Sequence, residues 1–134
     1  MHLPDGIVDD TDLRDWEAAL KMAADLGWQA RPSDGSRLEH LSAERLFAED
    51  LLHTVAIWPS SEVQINLFPL SISSIDFDFS TREVVDQGSL DVLCDFLRSL
   101  GRSVGKPVRV VFEGTTTEIL RYEPGSDEFV LADT

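Results

Sequence analysis

Apolar and polar residues alternate from residue 74 to residue 80, and this period of two predicts a β-strand with two chemically different faces. Ile75, Phe77 and Phe79 share one face, which we expect to be buried. The other face carries Asp76 and Asp78. The pattern therefore predicts a strand with an apolar face toward the core and an acidic face toward solvent.

The spacing then becomes helical, with apolar residues three and four apart, and predicts a helix over 89–104. Ser89 is the predicted N-cap, and Gly101 or Gly105 the predicted left-handed cap at its end. Pro107 prevents continuation of the helix, and alternation over 108–112 predicts the next strand. The apolar stripe consists of Leu90, Leu93, Leu97, Leu100 and Val104.

An earlier amphipathic pattern predicts a helix that starts at Asp10 or Thr11, ends at Leu26 and is closed by Gly27. Residues 1–10 are expected to form a loop, since Pro4-Asp5-Gly6 is a turn signal. Residues 28–36 are expected to be a connection, and residues 42–50 a short second helix. The face of the first helix comprises Leu13, Trp16, Leu20, Ala23 and Ala24.

Four further segments are predicted as strands: 53–58, 63–67, 117–122 and 128–131. The last two flank Pro124-Gly125-Ser126-Asp127, which is typical of a hairpin loop. The fold class predicted is α+β, in a single domain over 1–134. A mostly antiparallel sheet of about six strands should carry the N-terminal helix and the crossover helix, about 89–104, on one face.

The chain has 25 acidic and 11 basic residues, and its formal net charge is -14. This charge repels phosphate backbones and anionic lipids and attracts basic partners. The sequence therefore disfavours nucleic-acid and membrane partners and favours a basic protein partner. The alternative is that the acidity serves solubility alone.

A chain of 134 residues can bury a core without a metal ion or a disulfide. The single cysteine, Cys94, has no partner for an internal disulfide and fits a small core residue, which favours a reducing compartment. The N-terminal residues lack the pattern of a signal peptide, and no apolar run is long enough to cross a bilayer. We therefore expect a cytoplasmic protein.

Two kinds of catalytic chemistry can be considered. Asp76, Asp78 and Glu83 could present oxygen ligands to Mg²⁺ or Ca²⁺, although the alternation of a half-buried strand explains the two aspartates equally well. His2, His40 and His53 lack the spacing of a zinc site, and no placed nucleophile accompanies His53 as a general base. The sequence predicts no catalytic residue and no cofactor.

Several short motifs resemble small bacterial proteins, some of which are immunity proteins of toxin systems. These motifs are Ile75-Asp76-Phe77-Asp78-Phe79, Arg82-Glu83, Phe96-Leu97, Leu100-Gly101 and Gly105-Lys106-Pro107-Val108, in about a third of the chain. The resemblance implies a cytoplasmic binding protein without catalysis that neutralises a cognate toxin. It transfers no contact residues to this chain.

The charge pattern and the resemblance together predict an immunity protein that docks an acidic surface on a basic toxin. Two alternatives are a metal-dependent enzyme that uses Asp76, Asp78 and Glu83, and a structural or adaptor module that pairs through an exposed strand edge. The predicted partner-binding residues form two groups: Asp10, Asp12, Asp15 and Glu17 at the first helix, then Asp76, Asp78 and Glu83.

Overall fold

The computed structural model describes residues 4–48, 54–80, 82–112, 115 and 117–131. Three α-helices lie in this part of the chain: α1 (Leu13–Asp25), α2 (Ala43–Leu46) and α3 (Gln87–Val104), with a 3-10 turn at Leu38–His40. The eight described strands are β1 (Asp5–Asp9), β2 (Gln29–Pro32), β3 (Val55–Ser60), β4 (Val63–Phe68), β5 (Ser74–Phe79), β6 (Val108–Val111), β7 (Glu118–Glu123) and β8 (Glu128–Leu131).

The strands form one antiparallel sheet in the order β2-β3-β4-β5-β1-β6-β7-β8. The predicted α+β class is confirmed, with eight described strands where about six were expected. Since β5 and β6 each pair antiparallel with β1, they run parallel to each other with β1 between them. The crossover helix α3 therefore connects two strands that are not neighbours.

The two additional strands lie where the sequence predicted a loop and a connection. β1 occupies the middle of the sheet, and β2 forms one edge. Gly6 does not make a turn; it lies opposite Phe77, whose ring covers it so closely that a Cβ would be 1.9 Å from Cζ. The expected turn at Pro4-Asp5-Gly6 was wrong because this glycine makes room for an aromatic ring inside a strand.

Both long helices begin at an aspartate. Asp86 is the N-cap of α3, and the predicted cap Ser89 is the third helical residue, whose hydroxyl accepts the backbone N–H of Asp86 in a capping box. Asp12 caps α1 in the same way, so α1 starts later than predicted. Gly27 has φ 70° and Gly105 has φ 68°, which confirms the left-handed geometry expected after α1 and α3.

The short helix α2 covers less of the chain than the predicted 42–50, of which residues 49 and 50 lie outside the described part. Strand β3 extends to Ser60, two residues beyond the predicted end of that strand. The hairpin of β7 and β8 has the predicted four-residue loop, 124–127. No helix among the described residues combines the length and the apolar character needed to span a membrane.

One hydrophobic core lies between the helices and one face of the sheet. Trp16 of α1 is fully buried, and its indole N–H is shared between the carbonyl oxygens of Ser71 and Ser74 at 3.1 Å each. Phe96 of α3 packs edge-on against Phe77 of β5, with ring centroids 5.0 Å apart. The described helices all contribute to this core, so their charged surfaces and the opposite sheet face remain outside it.

Candidate binding face

The sheet face opposite the core is called the open face, and alternate residues of all eight described strands form it. Most of its side chains are partly exposed. Cross-strand register assigns to it Asp5, Ile7, Asp9, Gln29, Arg31, Ala56, Trp58, Gln64, Asn66, Phe68, Ser74, Asp76, Asp78, Arg109, Val111, Glu118, Arg121, Glu123, Glu128 and Val130.

The centre of the open face is acidic. Asp76 and Asp78 lie two residues apart on β5, and Asp5 of β1 lies directly opposite Asp78. Oδ2 of Asp76 accepts the hydroxyl of Ser74 at 2.7 Å, and Oδ1 of Asp78 accepts the amide of Asn66 at 2.9 Å. Among the described residues, no Lys or Arg forms an ion pair with Asp76 or Asp78. These hydrogen bonds orient the two carboxylates without neutralising them.

The open face also places like charges directly opposite each other on neighbouring strands. Such pairs are unfavourable, because the Cβ atoms of opposite residues are only about 5 Å apart. Departures from the local rules of stability tend to mark functional surfaces. The three pairs are Asp5 with Asp78, Arg109 with Arg121, and Glu123 with Glu128.

Acidic neighbours compensate the two arginines on β6 and β7. Nη2 of Arg109 lies 2.8 Å from Oδ2 of Asp9. Nη1 of Arg121 lies 3.3 Å from Glu118, and its Nε lies 2.6 Å from Glu123 without the geometry of a hydrogen bond. This side of the open face therefore carries a mixed charge network rather than a free basic patch.

Apolar side chains flank the acidic centre. Phe68 of β4 and Ile7 of β1 lie directly opposite Asp76, one on each side of it. Toward the β2 edge, the guanidinium of Arg31 stacks over the ring of Trp58, 5.8 Å from the ring centroid. Aromatic side chains and arginine are enriched at protein interfaces, so Phe68, Trp58 and Arg31 are candidates for partner contact.

The predicted residues at the start of α1 have structural roles. Asp12 and Asp15 form a capping box, with both side-chain to backbone hydrogen bonds at 3.0 Å. The backbone N–H of Asp15 lowers the pKa of Asp12, and Lys106 contributes through its charge. Asp15 also forms an ion pair with Lys106, which follows α3. The acidic density of this segment thus caps α1 and ties it to the chain beyond α3.

Two more predicted residues hold neighbouring segments in place. Glu17 accepts the backbone N–H of Ala43 at 2.6 Å, at the start of α2. Glu83 accepts the backbone N–H of Gln64 at 3.2 Å, at the start of β4. Their carboxylates are already engaged within the fold, which sets them apart from those at the centre of the open face.

Asp10 is exposed and has φ 56°, a left-handed conformation uncommon outside glycine. It lines a cavity of ≈ 370 Å³ where β1 ends. The remaining lining residues are Asp9, Lys106, Pro107, Arg109, Arg121 and Glu123, so this cavity adjoins the mixed charge network. The structure therefore brings Asp76 and Asp78 together with Asp5, and places Asp10, Asp12 and Asp15 separately at the start of α1.

The remaining candidates for chemistry are the histidines, the cysteine and the acidic groups of the described part of the chain. No three or more of its His, Cys, Asp and Glu side chains are arranged to hold a metal ion. His40 is exposed, while His2 and His53 lie outside the described residues. Cys94 is half-buried on α3, and burial raises the pKa of its thiol.

Sequence reasoning missed Asp5, Ile7 and Phe68 as members of the open face. The first two fall in the segment predicted to be a loop. The sequence did contain a strand pattern in this segment. Gly6 and the buried Val8 alternate there with Asp5, Ile7 and Asp9. The short length of this segment and its turn-like start outweighed that alternation.

The geometry defines an α+β domain in which helices cover one face of an antiparallel sheet and the opposite face is exposed, with three carboxylates at its centre. Comparisons of the chain with models of known protein families, with curated proteins and with solved structures found no match.

Proposed function

We propose that this protein is a non-catalytic binding protein whose open face docks on a basic surface of a partner protein. The observation that carries the proposal is the acidic centre of that face, where Asp76 and Asp78 have no basic partner among the described residues. A basic partner would relieve the repulsion between Asp5 and Asp78.

The size of the open face supports this role. Eight strands at about 4.8 Å spacing span roughly 34 Å, and strands of four to six residues are about 13–20 Å long. The resulting area, roughly 400–700 Å², approaches the roughly 800 Å² that each partner contributes to a standard protein interface. One flat partner surface would therefore cover most of it.

Charge supports a basic partner in particular. Seven of the open-face residues are acidic and three are basic, and the whole chain has a formal charge of -14. Such a field speeds association with a cationic protein, and buried anchors then hold the complex. Trp58, Phe68 and Ile7 are the apolar candidates for those anchors.

The more specific proposal is that the partner is a toxin and that this chain is its immunity protein. Steric cover of a basic active site requires no catalysis by the inhibitor, in keeping with the acidic surface described above. The metal-dependent alternative has less support, because Glu83 is engaged by Gln64 and no metal-binding group of residues is present in the described part of the chain.

Co-expression of the chain with the product of a gene that flanks its own, with cell growth as the readout, tests this function. We expect the neighbouring product alone to be toxic and the wild-type chain to restore growth. The double variant Asp76→Lys/Asp78→Lys should lose protection. A matched control, Asp91→Lys/Asp95→Lys, makes the same change in net charge on the exposed surface of α3 and should still protect.

Circular dichroism and thermal unfolding of the purified variants establish that both fold. Flanking genes whose products are harmless would contradict the immunity role. Equal protection by the open-face and α3 variants would contradict the docking face, because the two differ in the surface they alter.

A further inference from the structure

We propose that the open face selects arginine over lysine on its partner, with one guanidinium group held against Asp76 between Phe68 and Ile7. This inference rests on the proposed function and specifies the chemistry of the contact. It is carried by the register of three neighbouring strands, which places a carboxylate between an aromatic and an aliphatic side chain.

The three side chains occupy one row across the sheet. Phe68 pairs with Asp76 across β4 and β5, and Ile7 pairs with Asp76 across β1 and β5. Directly opposite side chains in a sheet have Cβ atoms about 5 Å apart, so an incoming side chain that reaches Asp76 also contacts its neighbours. All three are partly exposed and thus accessible from the open face.

Asp76 is also available for a partner. Only its Oδ2 takes part in a hydrogen bond among the described residues, from the hydroxyl of Ser74. The nearest base in the same row is Arg109, which lies opposite Ile7. Its Nε and Nη2 both contact Oδ2 of Asp9, at 2.9 and 2.8 Å, and this ion pair directs the guanidinium toward Asp9.

This arrangement suits a guanidinium better than an ammonium. A guanidinium is planar and weakly hydrated, so it can stack on an aromatic ring and still donate two hydrogen bonds to a carboxylate. An ammonium is compact and strongly hydrated, and it gains less from apolar neighbours. A partner arginine would therefore gain apolar contact with Phe68 and Ile7 in addition to its attraction to the carboxylate of Asp76.

Within this fold, arginine side chains already pack on aromatic rings. Arg31 stacks over Trp58 on the open face, and Arg98 of α3 lies 5.3 Å from the ring centroid of Phe129 while pairing with Asp127. The second contact combines an aromatic ring, an aspartate and an arginine, which is the combination proposed for the partner.

Isothermal titration calorimetry with capped hexa-arginine and hexalysine peptides tests the inference, since the two peptides have the same charge. We expect wild-type protein to bind hexa-arginine about fivefold more tightly, which corresponds to a cation–π contribution of about 1 kcal/mol. Asp76→Asn should weaken the binding of both peptides. Phe68→Ala should remove the preference for arginine, because it weakens the binding of hexa-arginine more than that of hexalysine, and Phe68→Leu, a more conservative change, should do the same.

Leu90→Ala truncates an exposed apolar side chain on α3, away from the open face, and should keep the fivefold preference. Equal affinity of the two peptides for wild-type protein, with both weakened by Asp76→Asn, would overturn the arginine inference and leave the docking face standing. Peptide binding that neither Asp76→Asn nor Asp76→Lys/Asp78→Lys changes would overturn both.

Discussion

At the scale of single residues, the fold depends on a close contact between a helix and the last hairpin. Tyr122 of β7 is fully buried, and its hydroxyl donates to Oδ1 of Asp127 at 2.6 Å. Asp127 also pairs with Arg98 at 3.2 Å and Arg102 at 3.0 Å. Gly101 of α3 faces the tyrosine ring, where a Cβ would lie 2.6 Å from Cδ2. The tyrosine is thus fixed at both its ring and its hydroxyl.

We therefore predict that Gly101→Ala destabilises the protein, although alanine is the better helix former. Overpacking typically costs about 1–3 kcal/mol, and a Cβ only 2.6 Å from Cδ2 of a fixed ring should place this site toward the upper end, above the roughly 1 kcal/mol gained in helix propensity. Urea unfolding measures the difference. Gly88→Ala in the same helix is the control, because the added Cβ would lie 3.6 Å from its nearest neighbour. A Gly101→Ala variant as stable as the Gly88→Ala variant would refute the prediction.

At the scale of elements, the start of α1 shows why acidic residues are concentrated there. Asp12 and Asp15 satisfy backbone N–H groups of the first turn, and Asp15 with Lys106 joins α1 to the chain that leaves α3. Glu17 in turn anchors the start of α2. These carboxylates stabilise the arrangement of the helices, and their negative charge at the N-terminus also suits the helix dipole.

We predict that Asp12→Ala lowers the urea midpoint at pH 7, whereas Asp12→Asn, which can still cap the helix, lowers it less. The pKa of Asp12 is depressed in the folded state, chiefly by the backbone N–H of Asp15. The stability contributed by its ionisation is therefore present above the ordinary value of 3.8 and is lost as the pH falls through the folded-state pKa. Urea titrations from pH 7 to pH 3 should show the wild type and Asp12→Ala converging; a constant gap would contradict this.

At the scale of the whole molecule, the charge distribution that favours binding of a basic partner lowers the stability of the free protein. The sheet places Asp5 against Asp78 and leaves the acidic centre partly exposed, in a chain whose formal charge is already -14. A surface that lowers the stability of the free protein can be retained when a partner makes use of it.

We predict that Asp78→Asn stabilises the free protein by about 0.5 kcal/mol, because it removes a like-charge pair and keeps an oxygen that can accept from Asn66. The same variant should bind hexa-arginine more weakly than the wild type. Thermal unfolding and calorimetry measure the two effects. Added salt should reduce the gain in stability, since screening weakens the repulsion in the wild type. A destabilised variant would contradict the proposed repulsion.

The sequence by itself determined the elements with strong local periodicity. The alternation in β4 and β5, most of the apolar stripe of α3 and the loop of the β7–β8 hairpin were predicted, because each depends on neighbours a few residues apart; Leu90, predicted in the stripe, is 40% exposed. It also determined that β5 would have an acidic face, since every second residue of a half-buried strand faces solvent.

Only the tertiary structure decided the role of β1 and the membership of the open face. Gly6 suggests a turn until the ring of Phe77 is placed over it, and Asp5 becomes part of the acidic centre only through its register with Asp78. Likewise, the carboxylates of Asp15, Glu17 and the central aspartates look alike in sequence. Their roles differ because Asp15 and Glu17 join distant segments, whereas Asp76 and Asp78 accept hydrogen bonds within the sheet and form no ion pair among the described residues.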